Sequence, residues 1–131
     1  MKEVYEFLKQ AGTFYLATVE GDQPHVRPFG AVNVFEDKLY LITSNQKAVY
    51  AQIAANPKVE ITGMTPDGKW IRLTAELVRD GRDEAVASML DANPSLKGMY
   101  SVGDGIVEVL YLRNATANIC SFTEAPVSYS F

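Results

Sequence analysis

The chain is short of the residues from which metal centres and nucleophilic triads are built: its 131 residues include one cysteine, Cys120, and one histidine, His25. A single cysteine excludes an intramolecular disulfide and a cysteine-cluster metal site, and one histidine leaves zinc or triad chemistry without partners, so no metal site is assigned. Cys120 has no activating neighbour in sequence and reads as a small buried hydrophobe. Basic charge is also scarce. Twelve lysines and arginines against 16 acidic residues give a net charge of -4, which supplies no field for nucleic acid or an anionic membrane surface. Any bound phosphate must therefore be held by a local basic cluster. No apolar run reaches membrane-spanning length, and Met1 to Glu6 lack the basic-then-apolar layout of a signal peptide, so a cytoplasmic location is expected. Repeats, low-complexity segments and long linkers are absent, and the length suits one domain over residues 1–131.

What is present is a series of short β-type runs separated by turn signals and a few helical patterns. Val4, Phe7, Leu8 and Ala11 at helical spacing, with Gly12 as a stop, predict an amphipathic first helix. Thr13–Val19 predicts a strand that turns at Glu20–Gln23 into the run Gln23–Gly30, which is expected to continue through Phe35. A turn at Glu36-Asp37 and a strand over Lys38–Thr43 would complete a three-stranded meander. Ala48–Asn56 predicts a helix with Val49, Tyr50, Ile53 and Ala54 as its apolar stripe and Ser44 or Asn45 as its cap. Beyond it come strands over Lys58–Thr65 and Lys69–Arg79, a helix around Ala85–Leu90, a helical turn within Ser95–Tyr100, and strands over Ile106–Leu112 and Asn118–Phe122. Six or seven strands with a few flanking helices predict a mainly β, α+β fold: a small antiparallel barrel with helices at its sides and ends.

Two stretches carry chemistry. A period of two places His25, Arg27 and Phe29 on one face of an extended run, while Pro28 and Gly30 assign that run to a sheet edge, a bulge or a barrel opening. At Thr43-Ser44-Asn45-Gln46-Lys47 a strand enters a helix, whose free N–H groups and dipole favour an anion. Lys47 opposes that dipole unless an anion lies near it. Each stretch alone also reads as solvated surface; Arg27 on a nearby strand favours the anion reading of Lys47 over a solvated lysine. Trp70 and Arg72 lie on one face of a later strand, and Trp70 suits packing or an oligomer contact as readily as a ligand.

The sequence Tyr15-Leu-Ala-Thr-Val19, then Gln23-Pro-His-Val-Arg-Pro-Phe-Gly30, Leu39-Tyr-Leu-Ile-Thr-Ser-Asn-Gln-Lys47 and Asn56-Pro-Lys-Val59 resembles the pyridoxamine phosphate oxidase-like flavin-binding split β-barrels. The nearest in character are small members that include nitroimidazole-resistance-like proteins. The resemblance implies a homodimer with FMN in clefts between subunits. By that resemblance Arg27 and Lys47 hold the phosphate, Thr43, Ser44 and Asn45 surround phosphate and ribityl, and the backbone of Pro28, Phe29 and Gly30 runs along the isoalloxazine ring. Trp70 matches a position that reaches the flavin of the other subunit. Val32 stands where true pyridoxamine phosphate oxidases tend to carry a lysine, and Ser121–Pro126 lacks their arginine-rich substrate signature. A flavin reductase or nitroreductase-like oxidoreductase, taking electrons from a nicotinamide nucleotide and passing them to a small acceptor, therefore fits better than oxidation of pyridoxamine phosphate. A flavin carrier or stress-linked binding module, or a haem or deazaflavin protein on the same fold, is the alternative. No residue is assigned as catalytic acid or base.

Overall fold

The computed structural model describes all residues from Met1 to Phe131. In chain order the elements are α1 (Lys2–Ala11), β1 (Phe14–Glu20), β2 (Gln23–Phe29), β3 (Asn33–Phe35), β4 (Lys38–Ser44), α2 (Ala48–Ala55), β5 (Lys58–Met64), β6 (Trp70–Asp80), α3 (Asp83–Ala92), a 3-10 turn (Pro94–Gly98), β7 (Val107–Cys120) and β8 (Val127–Ser130). The strands form one antiparallel sheet in the order β2-β1-β5-β6-β7-β4-β3, with β8 paired to β7. Its two end strands do not pair with each other, so the sheet is an open, eight-stranded α+β arrangement consistent with a split barrel. No helix is long and apolar enough to cross a membrane.

Most of the sheet encloses the main core. Val4, Phe7 and Leu8 turn the apolar face of α1 onto it, where they meet inward residues such as Phe14, Leu16, Ile61, Ile71, Leu73 and Leu112. A second cluster forms where α3 covers the opposite face of β4 and β7: Tyr40, Ile42 and Val109 pack on Ala85, Val86, Met89 and Leu90. With both faces covered, β4 is buried from Leu39 through Ser44 and does not show a one-sided alternation.

Three expectations are corrected. The run Gln23–Phe35 is two strands, not one: β2 ends at Phe29, and β3 begins at Asn33 at the far end of the sheet path, so the meander does not form. The inward-facing positions change phase there, from the odd residues His25, Arg27 and Phe29 to Val32 and then Asn33. Gly30–Val32 thus carries the chain across the open end, and the Asn93 side-chain amide holds the Val32 carbonyl at 3.1 Å. Second, the two strands placed at Ile106–Leu112 and Asn118–Phe122 are one, β7, interrupted by a bulge opposite Ala75, with Asn114 at φ 52. That extra residue shifts the buried positions from Leu110 and Leu112 to Ala115 and Ala117, which breaks the periodicity that would have revealed a single strand. Third, the aromatic tail contains β8, and Phe131 exchanges backbone hydrogen bonds with Ala115 at 2.7 and 3.0 Å.

Candidate functional site

The open end of the sheet carries a cleft of about 330 Å³, at the lower end of the size range for small-molecule sites. One wall is the end of β2 and the crossing segment: Arg27, Pro28, Phe29, Gly30 and Ala31. The floor and second wall are the end of β4 and the start of α2, through Ile42, Thr43, Lys47 and Val49. The third wall follows α3 and the 3-10 turn, through Asn93, Ser95, Leu96, Met99 and Tyr100.

Each wall follows from local chemistry. β2 is a sheet edge paired only with β1, which accommodates Pro24 and Pro28 without cost to a second ladder. Its alternation leaves His25, Arg27 and Phe29 half-buried and Val26 and Pro28 exposed. Phe29 stacks obliquely on Phe14, with ring centroids 6.2 Å apart, and this anchors the strand end at the core. At Gly30 an added Cβ would meet only the Gly12 carbonyl, at 3.9 Å, so the chain itself does not require glycine there.

The helix start is built differently from the expected cap. Lys47 occupies the N-cap position in extended geometry, with no side-chain capping bond, and Ser44 Oγ accepts a hydrogen bond from the Gln46 N–H at 3.1 Å. The Tyr50 N–H donates to the Lys47 carbonyl at 3.1 Å, and the Ala48 and Val49 N–H groups keep the orphan character of a helix start. The inward residues of α2 are Val49, Gln52 and Ile53, whereas Tyr50 is half-buried and Ala54 exposed.

Gln52 is central to the geometry around Arg27. The guanidinium donates from Nη1 to Thr18 Oγ1 at 2.7 Å and to the Leu16 carbonyl at 3.3 Å, and from Nη2 to Gln52 Oε1 at 2.6 Å. The Thr18 hydroxyl in turn donates to Gln52 Oε1 at 2.6 Å. All three acceptors are neutral. Of the five arginines, Arg72, Arg79, Arg82 and Arg113 each pair with a carboxylate, and Arg27 alone does not. Burial lowers the Arg27 pKa from its ordinary value, yet an arginine stays charged. Lys47, exposed on the neighbouring wall, makes no ion pair either. The cleft therefore holds two cationic side chains whose charge nothing in the chain neutralises.

The structure brings Arg27, Pro28, Phe29, Gly30, Thr43 and Lys47 into one cleft and leaves three other candidates off its lining. Ser44 closes the turn before α2. The Asn45 side-chain amide donates to the Gly105 carbonyl at 2.9 Å. Trp70 lies at the start of β6 against Phe122, with centroids 4.9 Å apart. His25 is also outside the cleft: its Nε2 stands 3.5 Å from Glu20 Oε1, beside the β1–β2 turn, and has no hydrogen-bond partner. Cys120 is only half-buried. Thr18, Gln52 and the third wall had not been singled out in the sequence. A glutamine inside an otherwise apolar helical stripe was the signal for Gln52; the third wall has no motif.

The family model described as pyridoxamine 5'-phosphate oxidase matches residues 1–103. The chain belongs to that family. Among solved structures, a NimC/NimA family protein from Clostridium acetobutylicum is 53% identical, with a TM-score of 0.99 over 100% of this chain and 92% of its own. A heme binding protein from Mycobacterium smegmatis shares the fold at 18% identity and TM-score 0.73, over 94% of this chain and 57% of its own. A pyridoxamine 5'-phosphate oxidase-related, FMN binding protein from Nostoc punctiforme does so at 16% identity and TM-score 0.62, over 99% and 95%. No curated protein matches the chain. Proteins of this fold are thus described by different ligands, and the shared fold assigns neither of them to this chain.

Proposed function

We propose that this protein binds FMN in the cleft and works as a small flavin-dependent oxidoreductase of the flavin reductase or nitroreductase kind. The observation that carries the reading is the unpaired charge of Arg27, half-buried beside the cleft that Lys47 also lines. A phosphate monoester dianion complements two uncompensated cations, one offering a planar fork and the other a point charge. Thr43 and the first N–H groups of α2 add neutral donors around the same end. Along the other direction, Pro28 to Ala31 present backbone and apolar surface, and Ile42, Val49, Leu96 and Met99 add an apolar lining suited to a flat ring. Bound FMN would supply hydride and single-electron transfer. The chain's own contribution is to hold the phosphate, orient the ring and set its electrostatics. No residue is assigned as a catalytic acid or base.

The same reading includes a homodimer, in which Trp70 of one copy reaches the flavin of the other, a nicotinamide nucleotide as donor, and a cytoplasmic setting. Trp70 lies off the cleft of its own chain, as a residue serving a partner's site would. Sedimentation of flavin-loaded protein as a monomer would overturn the shared cleft. A haem reading is weaker, because His25, the only imidazole, does not line the cleft. Anaerobic reduction separates an enzyme from a carrier: bound flavin bleached by a reduced nicotinamide nucleotide faster than free FMN supports turnover, and bleaching at or below the free rate supports carriage alone.

A further inference from the structure

We infer that Gln52, with Thr18, is the positioning device that makes Arg27 a two-pronged phosphate receptor and so lets the cleft select a phosphorylated flavin over its unphosphorylated form. This deepens the FMN reading and rests on it. A guanidinium has five N–H donors arranged in two forks, one end-on through both Nη atoms and one along the side through Nε and Nη2. In Arg27 the end-on fork is taken: Nη1 meets Thr18 and Nη2 meets Gln52, acceptors that are themselves hydrogen-bonded at 2.6 Å. The remaining Nη1 donor reaches the Leu16 carbonyl at 3.3 Å. The side fork, Nε–H and the second Nη2–H, has no partner in the chain.

The device depends on the acceptors being neutral. Gln52 is 5% exposed and Thr18 1% exposed, so both are fixed by packing and cannot swing away. They hold the guanidinium plane without neutralising it. A carboxylate at position 52 would bind Arg27 as well or better and would cancel the charge that a phosphate needs. An apolar residue there would free the guanidinium to rotate and would leave the Thr18 hydroxyl without its acceptor. The choice of glutamine on an otherwise apolar helix face is thereby explained by what Arg27 must offer to a ligand.

The test is a comparison of affinities for FMN and for riboflavin, which share the ring and ribityl chain and differ in the phosphate. Wild-type protein is expected to prefer FMN strongly. In Gln52→Glu the preference should fall by about tenfold or more, because an opposing charge enters within hydrogen-bond distance of Arg27. In Gln52→Leu and the near-isosteric Thr18→Val it should fall about two- to tenfold, the scale of one lost positioning hydrogen bond. Riboflavin affinity should change little in each. Thr18→Val keeps the side-chain volume, so it provides the test if the Gln52 variants fail to fold. An unchanged FMN-to-riboflavin ratio in the folded variants, or equal losses for both ligands, overturns the positioning role and reduces Gln52 to packing. A wild-type protein that binds both flavins equally overturns the phosphate reading itself, a result distinct from a preference that the variants leave unmoved.

Discussion

Removing the Arg27 side chain should separate ligand recognition from folding more cleanly than most substitutions at a buried network. In Arg27→Ala the Thr18 hydroxyl still donates to Gln52 Oε1 at 2.6 Å, so neither residue is left without a partner. The guanidinium is half-buried and bonded only to neutral acceptors, and its loss should cost the fold within about 1 kcal/mol. The ligand loses a charge-assisted, two-pronged contact worth about 1.5–3 kcal/mol, which raises Kd for FMN about 10- to 150-fold. Riboflavin affinity should stay within about twofold, since the ring-binding surface from Pro28 to Ala31 is untouched and the phosphate interaction is absent. Titration followed by flavin fluorescence, at fixed ionic strength and with the melting temperature recorded alongside, reads both quantities. Equal losses for FMN and riboflavin would refute the argument by showing that Arg27 shapes the cleft without holding the phosphate; unchanged FMN affinity would refute it more simply.

The remaining expectations concern the second cation and the two core clusters. Lys47 is exposed, so Lys47→Ala should weaken FMN by about 1 kcal/mol or less, and titrations at rising salt should narrow the gap from wild type. Gly63→Ala should destabilise the fold by about 1–3 kcal/mol in denaturant titrations, because a methyl there would stand 3.2 Å from Phe14 Cβ and 3.5 Å from Phe14 Cα and the Thr13 carbonyl. At the second core cluster, the Tyr40 hydroxyl donates to Asp80 at 2.8 Å, and Arg82 holds the same carboxylate at 2.9 Å. The Arg82 hydrogen bonds, aided by Tyr40, hold the Asp80 carboxyl well below the usual range despite burial, so its stabilisation is present above about pH 4 and disappears as pH falls further. Burial and the Asp80 contact push the Tyr40 phenol up to about 12, so its contribution is present below about pH 10 and is lost as pH rises towards that value. Tyr40→Phe should cost about 1–2 kcal/mol at neutral pH and remove the alkaline loss, as measured by unfolding across a pH series.

The parts of this molecule legible in its sequence are those governed by uninterrupted periodicity. α1 announced itself through Val4, Phe7 and Leu8, and β2 through the alternation of His25, Arg27 and Phe29, whose half-buried face the structure reproduces. The prolines of that run also placed it correctly at a sheet edge. Where a backbone irregularity shifts the period, the pattern misleads: the bulge at Asn114 made one strand read as two, and the crossing at Gly30–Val32 made two strands read as one. Both errors concern sheet connectivity, which depends on contacts far apart in sequence. At the cleft, Arg27 and Lys47 stood out because their chemistry is conspicuous. Gln52 did not, because its role exists only once α2 packs against β1 and its amide meets Thr18. The third wall, from Asn93 to Tyr100, is likewise a product of how α3 settles on β4 and β7, and no local motif marks it.

The central claim is that the cleft between β2 and the start of α2 holds FMN by its phosphate. Its most direct test is the visible spectrum of the purified protein before and after incubation with FMN, followed by mass identification of whatever is released on denaturation. A flavin absorption band and release of FMN, with saturation near one flavin per chain, is the predicted result. No flavin band and no uptake on titration, or a haem spectrum that persists in Arg27→Ala, would contradict it.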